Sequence, residues 1–219
     1  MPNVSIHSLY RYFAYHFRTR RMRYFAREFQ LTLDTLVLDV GGAPFNWNLL
    51  SPVPALTMLN LTAYRSAEIT KWVIGDGCRL PFKSGSFDIV YSNSVIEHLG
   101  TWENQQAFAA ECQRVGRSYY IQTPNKHFFM EPHLLTPFIH WLPRAWQRKL
   151  LRYFTLWGWL TKPSSAQCSA FMDEIRLLGR RELQTLFPDA EIWRERFLGM
   201  TKSYIVVKRI KDTIDQDSE

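Results

Sequence analysis

The sequence predicts an α/β fold: a doubly wound, mostly parallel sheet that closes with an antiparallel hairpin. Three observations predict it. Five short apolar runs lie between Thr35 and Thr123, each closed by Gly, Asn, Asp or Pro. Segments free of Gly and Pro, with apolar residues at helical spacing, separate some of these runs. Beyond Gly179 a helix-like stretch leads into two strand-like runs joined by a short connection. Strand and helix in alternation give parallel strands with right-handed crossovers.

Taken in order, Tyr10 to Phe29 is rich in Arg and aromatic residues and reads as a helix within an N-terminal cap over residues 1–30. Thr35–Val40 is apolar on both faces, as a strand buried in a parallel sheet must be. Leu56–Leu61, Trp72–Ile74, Phe87–Ser92 and Ser118–Thr123 are the next four strands. Ala63–Thr70 and Trp102–Val115 are the intervening helices, the second with Phe108, Cys112 and Val115 near one face. Residues 126–170 are rich in Trp, Phe, Pro and Leu and too long for a plain loop, so a mostly helical insert is expected there. Gly179–Phe187 reads as a helix. Glu191–Leu198 and Ser203–Arg209 read as a hairpin joined through Gly199–Lys202. The whole makes one domain.

Composition narrows the class. With 219 residues and 46% hydrophobic content, one core can form without disulfide or metal staples. Cys78, Cys112 and Cys168 are far apart with no CxxC pair, which argues against a disulfide framework or a structural zinc site. No apolar stretch of about 20 residues exists and the N-terminus lacks a secretory h-region, so a cytoplasmic protein is expected. The net charge of +7 is uneven: residues 1–30 hold six Arg against Glu28 alone. Such a helix reads as a solvated face, as a lid over an anionic substrate, or as a site of weak membrane-surface contact. Nucleic acid is disfavoured, because these Arg gather at one end instead of lining a stripe.

An open α/β sheet binds its ligand at the carboxyl ends of its strands. Here those ends read Asp39-Val40-Gly41-Gly42, Asn60-Leu61, Gly75-Asp76-Gly77-Cys78, Ser92-Asn93 and Gln122-Thr123-Pro124-Asn125. Polar groups thus gather on one edge, where a nucleoside-sized ligand fits. Val95-Ile96-Glu97-His98 follows the fourth strand, and Met130-Glu131-Pro132-His133 opens the insert.

Residues 75–99, GDGCRLPFKSGSFDIVYSNSVIEHL, resemble the central motif of the class I S-adenosylmethionine-dependent methyltransferases, in particular the small-molecule branch. The resemblance runs from about Leu36 to Lys208. It implies a Rossmann-like, seven-stranded sheet and S-adenosyl-L-methionine as cofactor. It also implies roles. Asp39, Gly41 and Gly42 lie by the methionine part of the cofactor. Asn60, in place of the family's usual acid, holds the ribose hydroxyls with Leu61 beside it. Asp76 bonds the adenine amino group, with Gly77 and Cys78 near. Ser92, Asn93 and the segment to His98 floor the transfer site. The first loop departs from the family's Gly-x-Gly-x-Gly: Ala43 and Phe45 stand at its second and third glycine positions.

Methyl transfer from a sulfonium needs alignment more than covalent help. A hydroxyl acceptor benefits from a general base, for which His98 and His133 are the candidates. The expected activity is methylation of a small molecule or biosynthetic intermediate, at oxygen, with no metal. Two rivals stand beside it. The Ala43 and Phe45 departures suit a non-catalytic scaffold that keeps the fold. The aromatic insert and Arg-rich helix suit a peripheral membrane methyltransferase with a lipid-like acceptor.

Overall fold

The computed structural model describes residues 6–62, 71–131, 134 and 136–210. Helix α1 (Ile6–Glu28) precedes β1 (Leu36–Val40), a 3-10 turn at Pro44–Leu49, β2 (Ala55–Asn60) and β3 (Lys71–Ile74). Then come β4 (Phe87–Asn93), a 3-10 turn at Ile96–Leu99, α2 (Trp102–Val115) and β5 (Gly116–Pro124). The expected helix over 63–70 and the candidate base His133 lie outside the described residues.

The main sheet has seven strands. The first five run in the order β3-β2-β1-β4-β5, all parallel. Two more strands, β8 (Glu191–Phe197) and β9 (Met200–Lys208), complete it, with β9 antiparallel to β5. This is the predicted doubly wound sheet with its closing hairpin.

The two-residue period of the strands sorts their side chains. Leu38, Val40 and Val90 face the layer made by α2 and by α6 (Arg180–Leu186), where Phe108, Cys112, Leu183 and Phe187 bury. Val37, Ile89 and Tyr91 face the other layer, where Met22 and Phe25 of α1 meet Trp47 of the first 3-10 turn. Phe25 fills the centre of that layer, with its ring centroid 4.9 Å from Tyr91 and 5.0 Å from Tyr120. Each such aromatic pair adds about 1 kcal/mol beyond its buried area. The N-terminal helix is therefore half of one core layer, and not only a cap.

Helix ends follow local chemistry. The Thr101 hydroxyl accepts from the Asn104 amide to start α2. The Glu182 carboxylate reaches back to the Gly179 amide to start α6.

The hairpin differs from expectation. Its connection is Leu198-Gly199 alone, and β9 already begins at Met200. Both turn residues have positive φ, 49° at Leu198 and 79° at Gly199, which matches the twist of the flanking strands. A bulge at Glu195/Arg196 adjusts the register.

The insert also differs. It holds α3 (Arg144–Phe154), α4 (Leu156–Thr161) and α5 (Ser165–Glu174), and so extends past residue 170. It opens with a ribbon of β6 (Met130–Glu131) and β7 (Thr136–Pro137), too short to leave a periodic signal. Leu134, Ile139, Leu151, Cys168 and Met172 give it a small core of its own.

Candidate active site at the carboxyl ends of the strands

The strand order places the tips of β3, β2, β1 and β4 side by side. Backbone bonds hold the tips together: the Gly41 amide donates to the Leu59 carbonyl (2.8 Å) and the Gly75 amide to the Asn60 carbonyl (2.9 Å). The Asn60 side-chain amide donates to the Gly42 carbonyl at 3.0 Å, tying the first loop to β2. The Ser92 hydroxyl donates to the Val40 carbonyl at 3.0 Å, tying β4 to β1. Asp39, Asn60, Asp76 and Ser92 thus end neighbouring strands or follow directly from them. Leu61 stands exposed beside Asn60.

Asp39 lies on the α1 side of the sheet, fully buried. Its Oδ2 accepts from Trp47 Nε1 at 2.7 Å, while its Oδ1 is buried with no hydrogen bond. Burial outweighs the indole bond and pushes the carboxyl up to about 7. Both glycines of the loop are required by space. Gly41 has φ +74°, and a Cβ there would sit 2.6 Å from a Val95 methyl. A Cβ on Gly42 would sit 1.8 Å from Asp39 Oδ2.

The two departures from the family's glycine pattern are accommodated. Ala43 has φ −129°, an extended conformation open to any residue. Phe45 is 48% exposed, and the Arg18 guanidinium sits 4.8 Å from its ring centroid. The ring turns toward α1.

Asp76 is exposed on the β3 tip. Its Oδ1 accepts from the Cys78 amide at 2.8 Å, which fixes the carboxylate while leaving it open to solvent. Gly77 packs closely: a Cβ there would meet Phe108 and Val40 at 3.0 Å. Burial, together with Asp76, pushes the Cys78 thiol up to about 11, so it is protonated at neutral pH.

The tip of β4 holds what sequence reading missed. Arg21 of α1 is 8% exposed. It donates to Asn93 Oδ1, to Gln122 Oε1 (3.1 Å) and to Glu195 Oε2 (2.9 Å). The Ser94 hydroxyl also donates to Gln122 Oε1, at 2.9 Å. Burial alone would raise the Glu195 carboxyl, but the Arg21 charge and the Ser203 hydroxyl outweigh it and hold the group below the usual range. Nothing in the Arg-rich N-terminal stretch sets Arg21 apart from its neighbours. Only the fold selects it.

The turn after β4 is anchored from beneath. Glu97 is buried and accepts from the Thr123 hydroxyl at 3.0 Å, and its carbonyl accepts the Arg176 amide at 2.8 Å. His98 Nδ1 lies 3.4 Å from the Glu174 carboxylate at the end of α5.

A cleft of about 330 Å³ opens between β5 and the insert. Leu134, Leu151, Phe171 and Met172 form its apolar wall, and Lys126, Arg144 and Arg176 bring positive charge. Glu182 serves both Lys126 and Arg176 at 2.7 Å. Asp173 serves both Arg144 (3.8 Å) and Arg148 (3.6 Å). Each carboxylate is shared by two cations, so net positive charge remains on both sides.

The comparisons agree with this fold. Residues 52–119 match the family model described as a methyltransferase domain. The magnesium protoporphyrin IX methyltransferase of Synechocystis PCC 6803, solved with bound S-adenosylhomocysteine, is 12% identical, with 94% of this chain and 88% of that one covered and a TM-score of 0.58. A S-adenosylmethionine-dependent methyltransferase from Methanosarcina mazei is 13% identical over 84% of this chain and 95% of that one, TM-score 0.51. The N-methyltransferase NodS from Bradyrhizobium japonicum WM9 is 10% identical over 88% and 93%, TM-score 0.52. No curated protein sequence matches the chain. Residues 52–119 thus match a methyltransferase-domain model, and the fold as a whole is similar to that of solved methyltransferases that use S-adenosylmethionine.

The strand tips fit that cofactor. The first loop is kept free of side chains where it passes Asp39, a buried carboxylate oxygen there lacks a donor, the Phe45 ring is turned aside, and Asp76 stands exposed at the far end.

Proposed function

We propose that the protein is a cytoplasmic S-adenosylmethionine-dependent methyltransferase that methylates oxygen on a small, amphipathic, anionic acceptor. The observation that carries the acceptor class is the cleft, with its apolar wall and incompletely neutralised cations. It begins at Lys126, two residues past the end of β5, and includes Arg176, whose amide bonds the Glu97 carbonyl. An acceptor seated there lies against the turn that follows β4.

The bound cofactor supplies a methyl group already activated on sulfur. The chain supplies position. Asp76 takes the adenine amino group, Asn60 Oδ1 and exposed Leu61 take the ribose and its base, and the Gly41–Gly42 backbone takes the methionine end. Asn93 and Gln122, both held by Arg21, present fixed polar groups beneath the transfer point. His98, whose Nδ1 lies 3.4 Å from the Glu174 carboxylate, serves as the proton acceptor for the hydroxyl.

Titration calorimetry with S-adenosylhomocysteine tests the cofactor half. Saturable binding that Asp76→Ala weakens supports it, and equal binding by both proteins rejects it. Turnover that His98→Gln lowers, with product affinity unchanged, supports the oxygen chemistry.

A further inference from the structure

From residue 132 to residue 172 the chain contains no Asp or Glu, but it contains Arg144, Arg148, Lys149, Arg152 and Lys162. The same segment exposes large apolar side chains. Trp141, Trp146, Tyr153, Phe154, Trp159 and Leu160 are each more than half exposed, from 53% to 67%. Elsewhere in the described chain such residues stand more scattered, as Leu33, Val53, Leu61 and Ile74 do.

The arrangement follows from helix geometry. On α3, Trp146, Leu150 and Tyr153 stand at i, i+4 and i+7, one stripe. Leu150 packs on the insert's small core, and the two aromatic residues continue the stripe into solvent. The Trp159 indole donates to the Tyr153 carbonyl, which sets α4 against the end of α3 and joins Trp159 and Leu160 to the same surface. Phe138, 52% exposed, is held at φ +61°, a conformation that costs a bulky residue strain, with its ring 5.1 Å from that of Trp141. Arg152 and Lys149 are exposed on α3 among these side chains. Asp173 is the acid at the foot of the surface, paired with Arg144 and Arg148.

We propose that this face of the insert seats the protein on an anionic lipid surface. Trp and Tyr rings with aliphatic neighbours sit at the headgroup boundary of a bilayer, and Lys and Arg with no competing carboxylate are drawn to its negative potential. The charge complementarity is one-sided, as a lipid surface requires. A second copy of this chain fits less well, since it would bring the same positive charge against this face. Single-stranded nucleic acid also fits less well, since Leu142 and Leu160 offer no ring for a base to stack on. No helix among the described residues is long and apolar enough to cross a membrane, so the contact is peripheral.

Co-sedimentation with phosphatidylcholine vesicles, with and without phosphatidylglycerol, tests the proposal on the full chain. The wild type pellets with the anionic vesicles at low salt and is released by high salt. Trp146→Glu/Tyr153→Glu and Lys149→Glu/Arg152→Glu each lower the bound fraction about tenfold. All four positions are exposed, so melting temperature and S-adenosylhomocysteine binding stay at wild-type values and report an intact fold. Failure of the wild type to pellet with anionic vesicles at low salt overturns the proposal. Pelleting by both variants as by wild type overturns it too. So does retention of polyuridylate RNA in place of vesicles, or a wild-type dimer that the aromatic variant dissolves without any vesicle binding.

Discussion

The indole Nε1 of Trp47 donates to Asp39 Oδ2 across 2.7 Å, while Oδ1 of the same carboxyl is buried without a donor. The pair fastens the 3-10 turn after the first loop to the strand before it. Desolvation raises the Asp39 pKa from 3.8 to about 7. Between those values the folded protein keeps a proton that the unfolded chain has released. Stability therefore falls as pH rises through that window and levels off above it. Asp39→Asn mimics the protonated acid and removes the titration. Urea midpoints at pH 5 and pH 8 check this: the wild type loses stability between them, and the variant holds level. Parallel losses in the two proteins would place the titration elsewhere.

Arg21 and Glu195 form the other buried polar centre. Their side chains are 7% and 15% exposed, and each satisfies the other at 2.9 Å. Removing one leaves an uncompensated buried charge, so Arg21→Met costs about 3–5 kcal/mol. Arg21→Met/Glu195→Leu recovers part of that loss, because neither charge of the pair is then stranded, while Asn93 and Ser203 lose the partners they had. A double-mutant cycle by chemical denaturation reads the coupling. Additive single losses would mean that the pair is not coupled. Because the Glu195 pKa is lowered from 4.5, its contribution is present above that value and is lost as pH falls below it. Acid unfolding of Glu195→Gln is accordingly shallower.

The first loop gives a sharper contrast. Gly42→Ala forces a methyl group onto Asp39 Oδ2, and Gly41→Ala forces one onto Val95 at a positive φ. Each costs about 2 kcal/mol or more, and each displaces the loop backbone from the bed proposed for the cofactor. Ala43→Gly, at an extended position, leaves S-adenosylhomocysteine affinity within about twofold and costs only the chain entropy of a glycine. Calorimetry on the three variants checks the order; a large loss in Ala43→Gly would refute it.

Much of this was legible in the sequence. The parallel strands are apolar and end in Gly, Asn, Asp or Pro, so period and punctuation agree at each one. The strand tips at Asp39, Asn60 and Asp76 follow from that pattern. What was not legible depends on tertiary contact. Arg21 is one Arg among six until α1 packs across the sheet, and Glu195 is one charge in the alternation of β8. The β6–β7 ribbon has two residues per strand, too few for periodicity. Leu198 gives no turn signal, since Leu rarely takes positive φ; the hairpin imposes it. The partnership of His98 with Glu174 joins residues 76 positions apart, on the turn after β4 and the last helix of the insert.

At Asn60 a residue-type rule and the geometry point in opposite directions. The family's usual acid at this tip suggests that Asn60→Asp would tighten cofactor binding by adding a charge-assisted bond to the ribose. In this chain the Asn60 side-chain NH2 donates to the Gly42 carbonyl at 3.0 Å. A carboxylate has no proton to offer there and would face the carbonyl oxygen with like charge. The lost bond is worth about 1 kcal/mol, and repulsion adds to it. The gain at the ribose, about the same size, is then spent on a loop no longer held in place. Asn60→Asp should therefore lower thermal stability and weaken S-adenosylhomocysteine binding several-fold near neutral pH, with partial recovery as the carboxyl protonates in mild acid. Calorimetry across that pH range decides it: tighter binding at neutral pH with stability unchanged would mean that the first loop does not depend on this bond.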